Sequence, residues 1–208
     1  MTSDKGAKTR QHILDTAERI FAEQGFDAAR VDRIAQEAGV NKALIYYYFA
    51  SKRALLDELI DDFITTANGF LLEMAQEGYA FGSDEMKSQM DKYNDYFARK
   101  HRTVRLLLTE SLKETDAIPP LFRLVDPGLD KNDEEAMIRD LNESGFGLDE
   151  DRQQRMVTEF FTGIMPMVVY CLFNERWCEH FGLSPDQLER LFETAVDDTH
   201  AQNHSDSV

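Results

Sequence analysis

Between Thr9 and Gln24 the apolar residues Ile13, Leu14, Ala17, Ile20 and Phe21 recur at i, i+1, i+4, i+7 and i+8, one stripe of a helix. Thr9 offers a cap at its start and Gly25 a stop at its end. A second, short helix is expected over 31–38, with Val31, Ile34, Ala35 and Ala38 on one face and Gly39 after it. A third spans 42–49. Ser51 then caps a fourth that runs through Leu55, Leu56, Leu59, Ile60 and Phe63 to about Glu77. Beyond it, 85–100 and 103–113 are amphipathic, Pro119-Pro120 starts a short piece through Val125, and Asp126-Pro127-Gly128 makes a turn. A highly charged helix follows over 132–144. Asp149 opens a long helix to about Phe181, and Ser184-Pro185 starts the last, with proline in its first turn. The polar tail 201–208 reads as disordered. No stretch alternates as a strand does, so the fold class is all-α.

Four adjacent aromatics, Tyr46-Tyr47-Tyr48-Phe49, cannot all face one side of a helix. With Ile45 set toward the core at about 100° per residue, Phe49 lies about 40° away and Tyr48 about 60°. Ala43 and Tyr47 point nearly opposite, Tyr46 and Leu44 flank that outer face, and Lys42 leads it. Phe49 and most of Tyr48 therefore go inward, while Tyr46 and Tyr47 stay out. Two short helices joined by a tight turn at Gly39 make a helix-turn-helix. An exposed tyrosine pair beside Lys42, Lys52 and Arg53 suits a nucleic acid, because a phenol can bond a phosphate and its ring can pack on a sugar or thymine methyl. Tyr48 is better explained as packing.

Charge sharpens that picture. The chain of 208 residues carries a net charge of −16, which alone argues against a polyanionic partner. Residues 1–56, however, hold nine Lys/Arg against seven Asp/Glu, and residues 57–208 hold fourteen against thirty-two. A mildly basic end on an acidic body offers only that end to DNA.

The stretches ILDTAERIFAEQGFD, IAQEAGV and LIYYYFASKRALLDELI resemble the N-terminal domain of the TetR family of bacterial transcriptional regulators, densely from about Thr9 to Leu59. The resemblance implies a DNA-binding domain over 7–56, its helix-turn-helix at about 31–50, and a helical effector-binding and dimerisation domain over 57–200. It implies a homodimer that binds a palindromic double-stranded operator through two third helices, represses transcription, and releases DNA on binding a small effector. Lys42, Ala43, Leu44, Tyr46 and Tyr47 fall on the family's DNA-facing positions, and Lys52 on its phosphate-binding lysine. Two positions depart from the family. Leu44 and Arg30 stand where threonine is usual, so Arg30 supplies a phosphate contact by charge and the cap of the second helix passes to another residue, Asp27.

The C-terminal part resembles the family in architecture only. FFTGIMPMVVYCLF, Phe160 to Phe173, is apolar nearly all round and must be covered on several sides. Pro166 should kink it. A seam through Phe160, Ile164, Val168 and Leu172, or the neighbouring one through Phe161, Met165 and Val169, is expected at a dimer interface, with Leu188, Leu191 and Phe192 of the last helix as the fallback. Phe70, Met74, Tyr93, Phe97, Phe161, Met165 and Tyr170 are candidate walls for a bulky, mostly apolar effector.

Rival chemistry is poorly supported. The five histidines are scattered, and no phosphate loop, serine elbow or HExxH occurs, so no catalytic residue or cofactor is assigned. Cys171, Cys178 and His180 offer one workable ligand pair with no clear third or fourth ligand, and no metal is expected. A small helical enzyme, or a redox sensor built on Cys171 and Cys178, remains the alternative reading. The polar N-terminus lacks a signal peptide, and no apolar run reaches the roughly 18–20 residues of a membrane span, so no membrane partner and a cytoplasmic location are expected.

Overall fold

The computed structural model describes residues 2–77, 84–115, 117–125, 150–196 and 198–199. The turn expected at 126–128, the helix at 132–144, the tail 201–208 and the Met74 side chain lie outside the described residues. The elements are α1 (Thr2–Gln24), α2 (Val31–Glu37), α3 (Lys42–Tyr48), α4 (Lys52–Glu77), α5 (Asp84–Arg99) and α6 (His101–Ser111). A 3-10 turn (Pro120–Leu124) follows, then α7 (Glu150–Thr158), a π turn (Glu159–Ile164), α8 (Met165–Phe181) and α9 (Pro185–Val196). Among the described residues there is no strand.

The apolar stripes expected from the sequence form the core. Ile13, Ala17, Ile20 and Phe21 of α1 pack with Ile34, Ile45, Phe49, Leu55 and Leu56, all buried. Helix α4 carries the same core onward through Phe63, Ile64 and Ala67 to Tyr93, Phe97, Val104 and Leu107. The expected domain boundary near residue 56 thus falls inside one continuous helix.

Helix α1 begins at Thr2, seven residues before the expected cap. Thr9 is interior to it, its hydroxyl donating 2.9 Å to the Lys5 carbonyl, and the helix closes where Gly25 adopts φ +81. Ser51 does cap α4, accepting from the Ala54 amide at 3.0 Å.

Around Pro166 the long helix widens rather than simply bending. Proline has no amide to give the carbonyl four residues back, and its ring crowds that carbonyl. The preceding turn is π-helical, with the Met165 amide donating to the Phe160 carbonyl, five residues back. The Thr162 hydroxyl takes the Thr158 carbonyl at 2.7 Å.

Packing separates the two seams of this helix. Ile164, Val168 and Cys171 are buried in the subunit's own core, against α5 and α6. Ile164 and Val168 therefore do not form an outer interface, contrary to the first expected seam. The open face runs one position along, through Phe161 (63% exposed), Val169, Phe173, Trp177 and Phe181. Phe160 and Leu172, at the margin, are partly buried against the core. With its flanks counted, Met156–Phe181 is apolar and long enough to cross a bilayer, which the 14-residue run alone did not suggest.

Adjacent residues should thus respond oppositely to a carboxylate. Val168→Glu places an uncompensated charge in the core and should abolish cooperative thermal unfolding. Val169→Glu should keep the helical circular dichroism and a cooperative melt. Equal melting of the two variants would contradict the assigned rotation of α8.

Candidate nucleic-acid interface

Helix α3 is held at both ends by local chemistry. Gly39 takes φ +64, a left-handed conformation that lets the chain reverse after α2. Asn41 caps α3, its side-chain oxygen accepting from the Leu44 amide at 2.7 Å. Ile45 (1% exposed) and Phe49 fix the inner face.

The outer face follows the wheel. Tyr47 is 79% exposed and Tyr46 47%, Lys42 and Ala43 are exposed, and Leu44 is half-buried. Tyr48 tucks in, its ring meeting that of Tyr47 edge-on at 5.1 Å and that of Phe49 at 6.4 Å. The Lys42 ammonium pairs with Asp32 at 2.8 Å. That hydrogen bond is the main cause holding the ammonium pKa above its ordinary range.

Two expected contacts are placed differently. Lys52 aims its ammonium inward, donating to the carbonyls of Phe26 (2.7 Å), Asp27 (3.2 Å) and Ala29 (3.0 Å), and it lies 4.4 Å from the Phe26 ring centroid. Three carbonyls converging at the α1–α2 turn need a cation, and they hold Lys52 away from an approaching phosphate. Asp27 does not cap α2, because its carboxylate pairs with Lys113 at 3.1 Å. Helix α2 begins from Arg30, extended and exposed, with no side-chain cap.

Behind this surface, Glu110 of α6 is buried and engages Lys113 at 2.7 Å and Arg53 at 3.3 Å. Arg53 also pairs with Asp57 at 2.7 Å. Lys113 stands 5.2 Å from the same Phe26 ring. Sequence reasoning missed Asn41 as a cap, although asparagine before a helix is a readable signal. It also missed Asp32, Phe26 and Glu110, whose partners are distant in the chain.

The expected effector wall is only partly assembled. Phe70, Tyr93 and Phe97 come together, with ring centroids 6.2 Å apart for Phe70–Tyr93 and 4.7 Å for Tyr93–Phe97, beside Phe63 and Tyr96. Burial raises the Tyr93 phenol pKa far above its ordinary value, with the Glu159 charge a lesser cause, so Tyr93 stays a neutral hydrogen-bond donor. Met165 packs partly against the core, and Phe161 points outward. Tyr170 instead stacks on Phe192 at 4.2 Å, between α8 and α9. Leu188 is half-buried and Leu191 exposed. An open groove of about 500 Å³ lies along α4, lined by Ala54, Asp57, Glu58, Asp61, Asp62 and Thr65, none of them an expected wall residue. Its acids pair with Arg53, Arg10, Arg123 and Lys100, so it does not suit an apolar ligand.

Thiol chemistry is disfavoured as well. The Cys171 thiol donates 3.1 Å to the Phe97 carbonyl, and burial pushes its pKa up to about 11, leaving little thiolate at neutral pH. Among the described residues no three His, Cys, Asp or Glu side chains gather as a metal site.

A helix-turn-helix whose third helix exposes Tyr46, Tyr47 and Lys42 suits the major groove of DNA. Residues 13–59 match the family described as bacterial regulatory proteins, tetR family. Over that N-terminal segment the chain is similar to the TetR family. It is 41% identical over 58 residues to the HTH-type transcriptional regulator AcrR of Shigella flexneri, covering 28% of this chain and 27% of that one. It is 28% identical over 107 residues to the HTH-type transcriptional repressor NicS of Pseudomonas putida, covering 51% and 50%. The matched segments thus span from about a quarter to half the length of these relatives. In overall fold it is similar to a putative TetR-family transcriptional regulator from Rhodococcus sp., at a TM-score of 0.55, 18% identity, and coverage of 93% of this chain and 99% of that one.

The placement of Lys52 makes a measurable distinction. Lys52→Met should lower folding stability by about 1–3 kcal/mol, since three charge-assisted hydrogen bonds to carbonyls of the α1–α2 turn are lost. It should weaken DNA binding with little change in its dependence on salt. A salt slope reduced by about one unit at unchanged stability would instead make Lys52 a direct phosphate contact.

Proposed function

We propose that this protein is a ligand-responsive transcriptional repressor that binds a two-fold symmetric operator as a homodimer. The observation that carries the reading is the outward pair Tyr46–Tyr47, with Ala43 and Lys42, on a rigidly capped α3. Ala43 and Tyr47 sit where base edges would be, and Arg30 at the start of α2 supplies a phosphate contact. The DNA-binding unit is residues 7–56, and 57–200 bind the effector and dimerise. The place of action is the cytoplasm, where the DNA is.

A second copy of the chain is the occupant that best suits the open face of α8. Phe161, Val169, Phe173, Trp177 and Phe181 form an exposed apolar stripe, continued by Leu191 on α9. TetR-family regulators commonly act as dimers, and a palindromic site requires two α3 helices held at fixed spacing. The aromatic cluster of Phe70, Tyr93 and Phe97 favours a mostly apolar effector that uses the neutral Tyr93 hydroxyl as its polar anchor.

Selection from a random pool of duplex DNA tests the reading. The selected site should be a pseudo-palindrome with half-site centres about 34–36 Å apart, or a multiple of that spacing. Recovery of one asymmetric site bound by a single chain would refute the homodimer. Val169→Glu should sediment as a folded monomer and bind the palindrome more weakly than the unaltered protein. Tyr47→Ala should change which bases are preferred while leaving the melting temperature nearly unchanged.

A further inference from the structure

We infer that Asp32 and Lys42 act together as one reading head for a single G·C base pair in each half-site. This rests on the DNA-binding reading above and extends it to a residue outside α3. Asp32 lies in the first turn of α2 and Lys42 at the first position of α3, and their side chains meet at 2.8 Å across the turn. The Asp32 side chain is 71% exposed, and its partner Lys42 is the first residue of the helix whose exposed positions include Ala43 and Tyr47.

A carboxylate is out of place on a surface that meets phosphates, since like charges repel there. The groups of duplex DNA that welcome it are the amino donors of bases, cytosine N4 and adenine N6. Lys42, after giving one N–H to Asp32, keeps two more. The pair therefore presents donors on the lysine side and an acceptor on the aspartate side. Across the major groove a G·C pair presents N7 and O6 acceptors followed by the cytosine N4 donor, the complement of that order. With the same orientation an A·T pair sets its N6 donor against the ammonium. It also sets the thymine O4 and methyl against the carboxylate. Only the purine N7 contact then survives, since donor faces donor and acceptor faces acceptor at the other two positions.

The pairing also restrains Lys42 electrostatically. An ammonium already matched by Asp32 gains less from a phosphate and releases fewer counterions when the protein meets arbitrary DNA. Asp32 thus lowers binding to the wrong sequence while contributing to binding of the right one, which is how specificity is gained without added affinity.

The test uses the full-length protein and the operator recovered by selection, with each base pair of a half-site replaced in turn. The unaltered protein should lose about tenfold or more in affinity when one particular G·C pair becomes A·T. Asp32→Asn is similar in shape and at an exposed position, so it should fold normally. It should lose the preference at that position alone, bind random duplex more tightly, and steepen the salt slope by about one unit. Lys42→Met should lose the same preference, and the double variant should lose no more than either single one. Unchanged preferences in Asp32→Asn, or additive losses in the double variant, would overturn the paired reading while leaving the regulator intact. Failure of the unaltered protein to select any symmetric site would overturn both.

Discussion

The cation at the α1–α2 turn holds the recognition surface in place. Three backbone carbonyls, of Phe26, Asp27 and Ala29, converge on one point, and without a positive group there they would repel one another. Lys52 supplies it from the first turn of α4, with its charge over the Phe26 ring. One side chain thus ties the end of α1, the start of α2 and the start of α4. The direction in which α3 projects depends on that tie, because α3 is short and buries only Ile45 from within its own length.

The same ring and turn connect the surface to the rest of the molecule. Lys113 and Arg53 close around the buried Glu110, and Lys113 also holds Asp27. Further along, Thr103 of α6 bonds Glu18 of α1, and Arg10 pairs with Glu58. Those made by Glu110 and by Thr103 are polar, directional and partly buried, so they tolerate little sliding. Movement of α6 cannot leave the α1–α2 turn untouched.

What the sequence revealed follows from what periodicity encodes. The face of α3 was legible because Ile45 fixes one direction and 100° per residue fixes the others. The start of α1 was not, because residues 2–8 carry no apolar stripe to announce a helix. The destination of Lys52 could not be read, since the three carbonyls face one another only once the turn has formed. Asp32 and Lys42 belong to different helices, and their meeting depends on the angle that Gly39 permits. The two seams of α8 look alike as a string of Phe, Met and Val. Only the arrival of α5 and α6 decides that Val168 is core and Val169 is not. Phe70, Tyr93 and Phe97 do meet as one aromatic cluster, whereas Tyr170 went to Phe192 because α9 lies against α8.

The distribution of charge also governs how such a molecule finds its site. The body beyond residue 56 carries far more acid than base, so that part of the molecule is repelled by a duplex. Several cations on the basic end are committed internally: Lys42 to Asp32, Lys52 to carbonyls, Arg19 and Arg33 to Glu37. One-dimensional sliding along a chromosome requires loosely held positive charge that can pass from phosphate to phosphate, and little is available here. If the protein reads DNA as proposed, its search proceeds by repeated short visits from solution, each ending quickly unless the groove matches. Under the proposed function, bulk DNA then sequesters few copies, and a small population suffices to keep a matching site occupied.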